Sequence, residues 1–100
     1  LSLGAKGVIS VIANVVPEAV SQMVDAYFAG RHAEAQKLHY KMFPLCRALF
    51  IETNPIPVKR AMKLLGLCDD SLRLPLCPMS ESNEKLLVKA LKDYGLKPKA

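Results

Sequence analysis

Apolar positions recur at three- and four-residue intervals along most of the chain, a period that predicts helices. Val20, Met23, Val24 and Tyr27 mark one face of a helix expected from Pro17 to Ala29. Pro17 suits the first helical position because its φ is already helical and its missing N–H would find no partner there; Glu18 complements the positive end of the dipole. Gly30 supplies the stop. Ala35, Leu38, Met42, Leu45, Cys46 and Leu49 define a longer helix from His32 to Phe50, in which Pro44 removes one backbone bond and predicts a kink. In Glu52-Thr53-Asn54-Pro55-Ile56-Pro57, two prolines push Asn54 and Ile56 away from helical angles, so a rigid extended connection is expected. Val58, Ala61, Met62 and Leu65 form the apolar side of a short helix that Gly66 ends. Cys68 to Met79, with Pro75 and Pro78, is a long irregular link, uncommon in a compact domain unless it packs along other elements. Ser80 is the expected N-cap of a last helix, with Glu81 and Glu84 in its first turn and Leu87, Val88, Leu91 and Tyr94 as its inner stripe. Gly95 closes that helix, and Lys97-Pro98-Lys99-Ala100 is expected to fray.

One stretch breaks the helical period. Val8-Ile9-Ser10-Val11-Ile12, with Gly7 before it, is β-branched and nearly continuous in its apolarity. That pattern predicts a strand over Gly7–Ile12, buried on both faces of a parallel sheet. No second strand follows, and a lone strand would leave its N–H and C=O groups unpaired. The missing sheet is therefore expected upstream. The opening Leu1-Ser2-Leu3, which has neither an initiator methionine nor the pattern of a signal peptide, fits a chain cut from a longer one.

Composition narrows the class. One hundred residues suffice for one small domain and exclude two catalytic domains. With 51% hydrophobic and 23% charged residues, the low-hydrophobicity route to disorder is closed. The longest uncharged apolar run, Gly7 to Pro17, is interrupted by Ser10 and Asn14 and is too short to span a membrane. The net charge of +5 is scattered, with Lys59-Arg60 the longest basic pair, and the aromatics sit among apolar neighbours, so neither a nucleic-acid stripe nor a membrane anchor is predicted. Cys46, Cys68 and Cys77 are odd in number and lack a C-x-x-C pair, which argues against a disulfide framework or zinc site and for reduced, cytoplasmic thiols.

The inventory of reactive groups is thin. His32 and His39 lie near one face of the second helix, but seven residues apart and without a third ligand they read as solvated histidines, and no metal is expected. Asp69-Asp70 reads as a turn-forming pair. Lys59 follows Pro57-Val58 without sign of the burial that amine catalysis needs, so it reads as a snorkelling structural lysine. No glycine-rich phosphate loop and no G-x-S-x-G is present. On motif alone, function stays open.

Three stretches together carry a resemblance. Gly7-Val8-Ile9-Ser10-Val11 with Ala13-Asn14-Val15, then Asn54-Pro55-Ile56-Pro57-Val58-Lys59, then Leu72-Arg73-Leu74-Pro75-Leu76 resemble the C-terminal third of the bacterial dihydrodipicolinate synthase family from end to end. The resemblance implies an α/β class: the C-terminal fragment of a TIM (β/α)8 barrel, mostly α in the residues present. Residues 1–30 would be the last βα unit of the barrel, with Gly7–Ile12 its eighth strand, and residues 31–100 a three-helix C-terminal extension. It further implies a lyase of lysine and diaminopimelate biosynthesis, in which an upstream lysine forms a Schiff base with pyruvate and an upstream tyrosine relays protons. The resulting enamine then attacks aspartate semialdehyde.

Neither of those two residues is present in this sequence, so no catalytic residue is assigned and the fragment alone is expected to be inactive. The one pocket residue that the resemblance carries over is Ile9, expected to border pyruvate; barrel-core filling is the competing role for the same side chain. No cofactor is implied. The implied partners are the upstream barrel portion, the two substrates and further copies in a homotetramer. Two rival readings remain. One is a fragment of a related N-acetylneuraminate-lyase-like aldolase, against which the Asn54–Lys59 stretch speaks. The other is a free-standing helical module that recruits a partner through its apolar strand.

Overall fold

The computed structural model describes residues 1–99 and contains four α-helices: α1 (Pro17–Phe28), α2 (His32–Ala48), α3 (Ile56–Leu64) and α4 (Glu81–Tyr94). A 3-10 turn at Val11–Asn14 precedes them. α1 packs on α2, α2 on α4 and α3 on α4, while the 3-10 turn touches α1, α2 and α3. Ile12, Val15 and Val16 therefore enter the middle of the core, beside Val20, Met42, Leu45, Leu49, Val58, Ala61, Leu87 and Leu91. No helix is long and apolar enough to cross a membrane among the described residues.

The helical stripes lie where the periodicity puts them. Met42, Leu45 and Leu49 are buried on α2 and its end, and Leu87 and Leu91 on α4. α2 runs unbroken through Pro44. α1, α3 and α4 share one ending, in which an N–H two or three residues past the helix reaches back to a carbonyl in the last turn: Arg31 to Ala26 at 2.8 Å, Leu67 to Met62 at 2.9 Å and Leu96 to Leu91 at 2.9 Å. At Gly95 this closure needs φ of +109°, which a Cβ would disfavour. Ser80 caps α4, its Oγ accepting from Asn83 N–H at 3.4 Å.

Three expectations are corrected. Gly7–Ile12 forms no strand among the described residues: residues 5–10 lie in no regular element, Ser10 is extended (φ −137°, ψ 137°), and Val11 and Ile12 already belong to the 3-10 turn. A ladder requires a neighbouring strand to exchange hydrogen bonds with, and every other element described is helical. Ile56 is helical despite the proline after it. Pro57 falls in the first turn of α3, where its N–H is not needed, and Ile56, Pro57 and Val58 are all buried. The C-terminal residues are also tied down, since Lys99 N–H donates to Leu64 O at 2.6 Å and Lys99 Nζ lies over Gly66. Ala100, counted in the expected fraying, lies outside the described residues.

Candidate functional site

Around Ile9 the backbone changes from extended to helical within a few residues. Ala13 N–H donates to Ser10 O at 3.1 Å, Val16 N–H to Ile12 O at 2.9 Å, and Asn14 Nδ2 to Val11 O at 3.1 Å. This tight turn drives Ile12, Val15 and Val16 into the core and leaves Ile9 on the outside, its side chain fully exposed at 106% relative accessibility. Val8 is half-exposed beside a shallow apolar depression shared with Met23, His39, Met42, Phe43 and Cys46. An exposed β-branched pair anchored on a buried turn presents apolar surface without a cover.

The two histidines remain apart in role. His32 rests edge-on against Tyr27, ring centroids 4.7 Å apart, and His39 lies near Phe43 at 5.8 Å. No three His, Cys, Asp or Glu residues converge into a metal-binding set among the described residues.

The strongest polar cluster lies elsewhere, where α3, the 68–79 link and α4 meet. Arg60 Nη1 donates to Asp70 Oδ2 at 2.8 Å and Nη2 to Glu84 Oε1 at 2.7 Å. Lys63 Nζ donates to Asp69 Oδ1 at 2.9 Å and to Asp70 Oδ1 at 3.1 Å. Lys59 Nζ donates to Ser71 O, so this lysine has a definite structural partner. The Lys63 ammonium, and for Asp70 also the Arg60 guanidinium, hold both aspartates below the ordinary carboxylate value, and the two aspartates raise Lys63 in return. The Asp69-Asp70 pair is therefore an ion-pair partner for α3. A second cluster fixes the start of α4. Glu52 Oε1 accepts from Ser80 N–H at 3.0 Å, Ser80 Oγ at 2.9 Å and Asn83 Nδ2 at 2.9 Å. Asn83, followed by the Ser80 N–H, lowers the Glu52 pKa. Sequence reading missed both clusters, because their members are joined only by the fold.

Comparison with solved proteins defines the class first. The chain matches a piece of about one hundred residues in TIM-barrel enzymes: dihydrodipicolinate synthase from Aquifex aeolicus superposes with a TM-score of 0.94 and 48% identity, over 99% of this chain and 34% of that one. A dihydrodipicolinate synthase variant described as monomeric matches with a TM-score of 0.91 and 46% identity, over 95% of this chain and 32% of that one. Among curated relatives, the 4-hydroxy-tetrahydrodipicolinate synthase of Methanococcus maripaludis (strain C7) is 54% identical over 96 residues, which are 96% of this chain and 33% of that protein. The chain thus spans about a third of the length of the relatives it matches. Residues 1–94 match the model of the dihydrodipicolinate synthetase family, and the chain belongs to that family.

Proposed function

We propose that this chain is the C-terminal portion of a synthase that condenses pyruvate with aspartate semialdehyde in lysine and diaminopimelate biosynthesis. The observation that carries the reading is the 54% identity to a curated synthase over nearly the whole chain. In this reading residues 1–30 are the last βα unit of a barrel and residues 31–100 its helical extension. In this reading the upstream portion covers the exposed Val8 and Ile9. An upstream lysine amine adds to the C2 carbonyl of pyruvate and water leaves. An upstream tyrosine relays protons as the imine becomes an enamine, whose carbon then bonds to the aldehyde carbon of the semialdehyde. Ile9 borders the pyruvate and helps exclude water, which favours the neutral, nucleophilic amine.

The complete enzyme is a cytoplasmic homotetramer in this proposal. The likeness to a variant described as monomeric supports the view that assembly is not what folds this portion. Covalent catalysis needs the nucleophile and its proton relay in one site, so the chain by itself is inactive. Incubation with pyruvate and borohydride tests this: the complete enzyme is expected to trap one adduct, and an adduct on any lysine of residues 1–100 alone overturns the reading. In the complete enzyme, Ile9→Ala is expected to raise the KM for pyruvate about tenfold, the scale of losing a few methylene contacts in an apolar pocket. An unchanged KM in steady-state assays would return Ile9 to a packing role.

A further inference from the structure

The 68–79 link is fastened in an unusual way. Its internal backbone bond joins Leu76 N–H to Arg73 O at 3.0 Å, and no backbone hydrogen bond ties it to a helix among the described residues. Its polar tethers are side chains, and all of them reach residues 69–71: Lys63 to Asp69 and Asp70, Arg60 to Asp70, and Lys59 to Ser71 O. Beyond that stem, Leu72, Leu76 and Met79 are only half-buried, and Leu74 at the tip is 92% exposed. The link roofs a cavity of about 580 Å³ against α3 and α4, with Ile56, Arg60, Glu84 and Met79 among its walls.

The closed arrangement has a built-in penalty. Arg60 Nε is buried there without a hydrogen-bond partner, although Nη1 and Nη2 are both satisfied. Arg60, Asp70 and Glu84 are each about 30% exposed, so their attraction exceeds that of a fully solvated pair yet remains open to screening by salt. The charges that meet at the stem are Lys59, Arg60 and Lys63 from α3, Asp69 and Asp70 from the link, and Glu84 from α4. Three cations and three carboxylates balance, so screening weakens the closure without leaving a repulsive excess that would hold the segment in another place.

We propose that residues 69–79 are an electrostatically latched strap, which swings off the cavity between α3 and α4 when the charges at its stem are screened or removed. The Arg73–Leu74 bond at the tip reports the opening, because trypsin cleaves after arginine and requires an unfolded stretch around the bond. Cleavage of the purified protein is followed by mass spectrometry from about 0.05 M to about 1 M salt, across which screening lengths shorten severalfold. Rates are normalised to those of a free peptide of the strap sequence, which removes the effect of salt on trypsin itself.

The wild-type rate is expected to rise about fivefold with salt. Asp70→Asn is expected to reach that rate already at low salt and to lose most of the salt dependence. Leu72→Ala, which loosens an apolar contact and keeps the charges, is expected to cleave faster with the salt dependence intact. A salt-independent wild-type rate overturns the proposal, as does an Asp70→Asn variant cleaved at the wild-type rate. Cleavage after Arg73 that rises only in step with cleavage after Lys41 and Lys89 in the helices also overturns it, because the opening would then be global unfolding.

Discussion

Glu52 gathers three donors on one carboxylate oxygen, from residues 28 and 31 positions further along the chain. Those donors favour the ionised form, so the folded-state pKa lies below the ordinary value of 4.5. A carboxylate depressed on folding contributes stability above its unfolded pKa, and that contribution is lost as pH falls through the folded one. Asp69 and Asp70, depressed from 3.8 by Lys63, act in the same direction. The melting temperature is therefore expected to fall from about pH 5 downward, and Glu52→Gln to flatten part of that fall, as thermal unfolding across the acid range would show. A flank as steep in the variant as in the wild type would remove Glu52 from the account. Ser80 as an N-cap was legible from its own neighbourhood, since the cap and the helix it serves are consecutive. Its contact with Glu52, and Arg60 shared between Asp70 and Glu84, depend on three separate segments meeting, and no local pattern encodes that.

Among the elements, helix faces and stops were readable because burial on one side imposes a 3.6-residue period and chain reversal demands glycine. Gly7–Ile12 differs from the strand its pattern predicts for a physical reason: a β-branched run records a preference for being enclosed, and among the described residues Ile12 is enclosed in a 3-10 turn by helices. Prolines were over-weighted at α3, where Pro57 occupies a position that costs no hydrogen bond. Pro44 differs, because it lies well inside α2 and deprives the Tyr40 carbonyl of its partner four residues on. Pro44→Ala is expected to stabilise the fold by about 2 kcal/mol, the helix-interior cost of proline less the entropy it removes from the unfolded chain. Urea denaturation at matched m-value measures the change; a loss of stability would mean that the surroundings of α2 are shaped around the ring.

For the whole molecule, the buried residues form one core that runs across residues 30 and 31, joining the 3-10 turn, α1, α2, α3 and α4. Ile12 is central to it and 4% exposed. Ile12→Ala is expected to cost about 2–5 kcal/mol, the usual range for a large side chain truncated inside a packed core. Equilibrium unfolding checks the value, and a cost under about 1 kcal/mol would make the turn peripheral. This convergence, too, is not encoded locally, since Ile12 reads as part of a strand until helices are seen around it.

The same turn has a practical meaning for anyone building chimaeras. Ile9 and Ile12 are separated by a single tight bend, so a graft that transplants the helices while replacing the segment before them leaves the acceptor with an empty socket where Ile12 belongs. Crossover points placed before Gly7 keep the plug and its socket in one inherited block, and those placed between α1 and α2 split them.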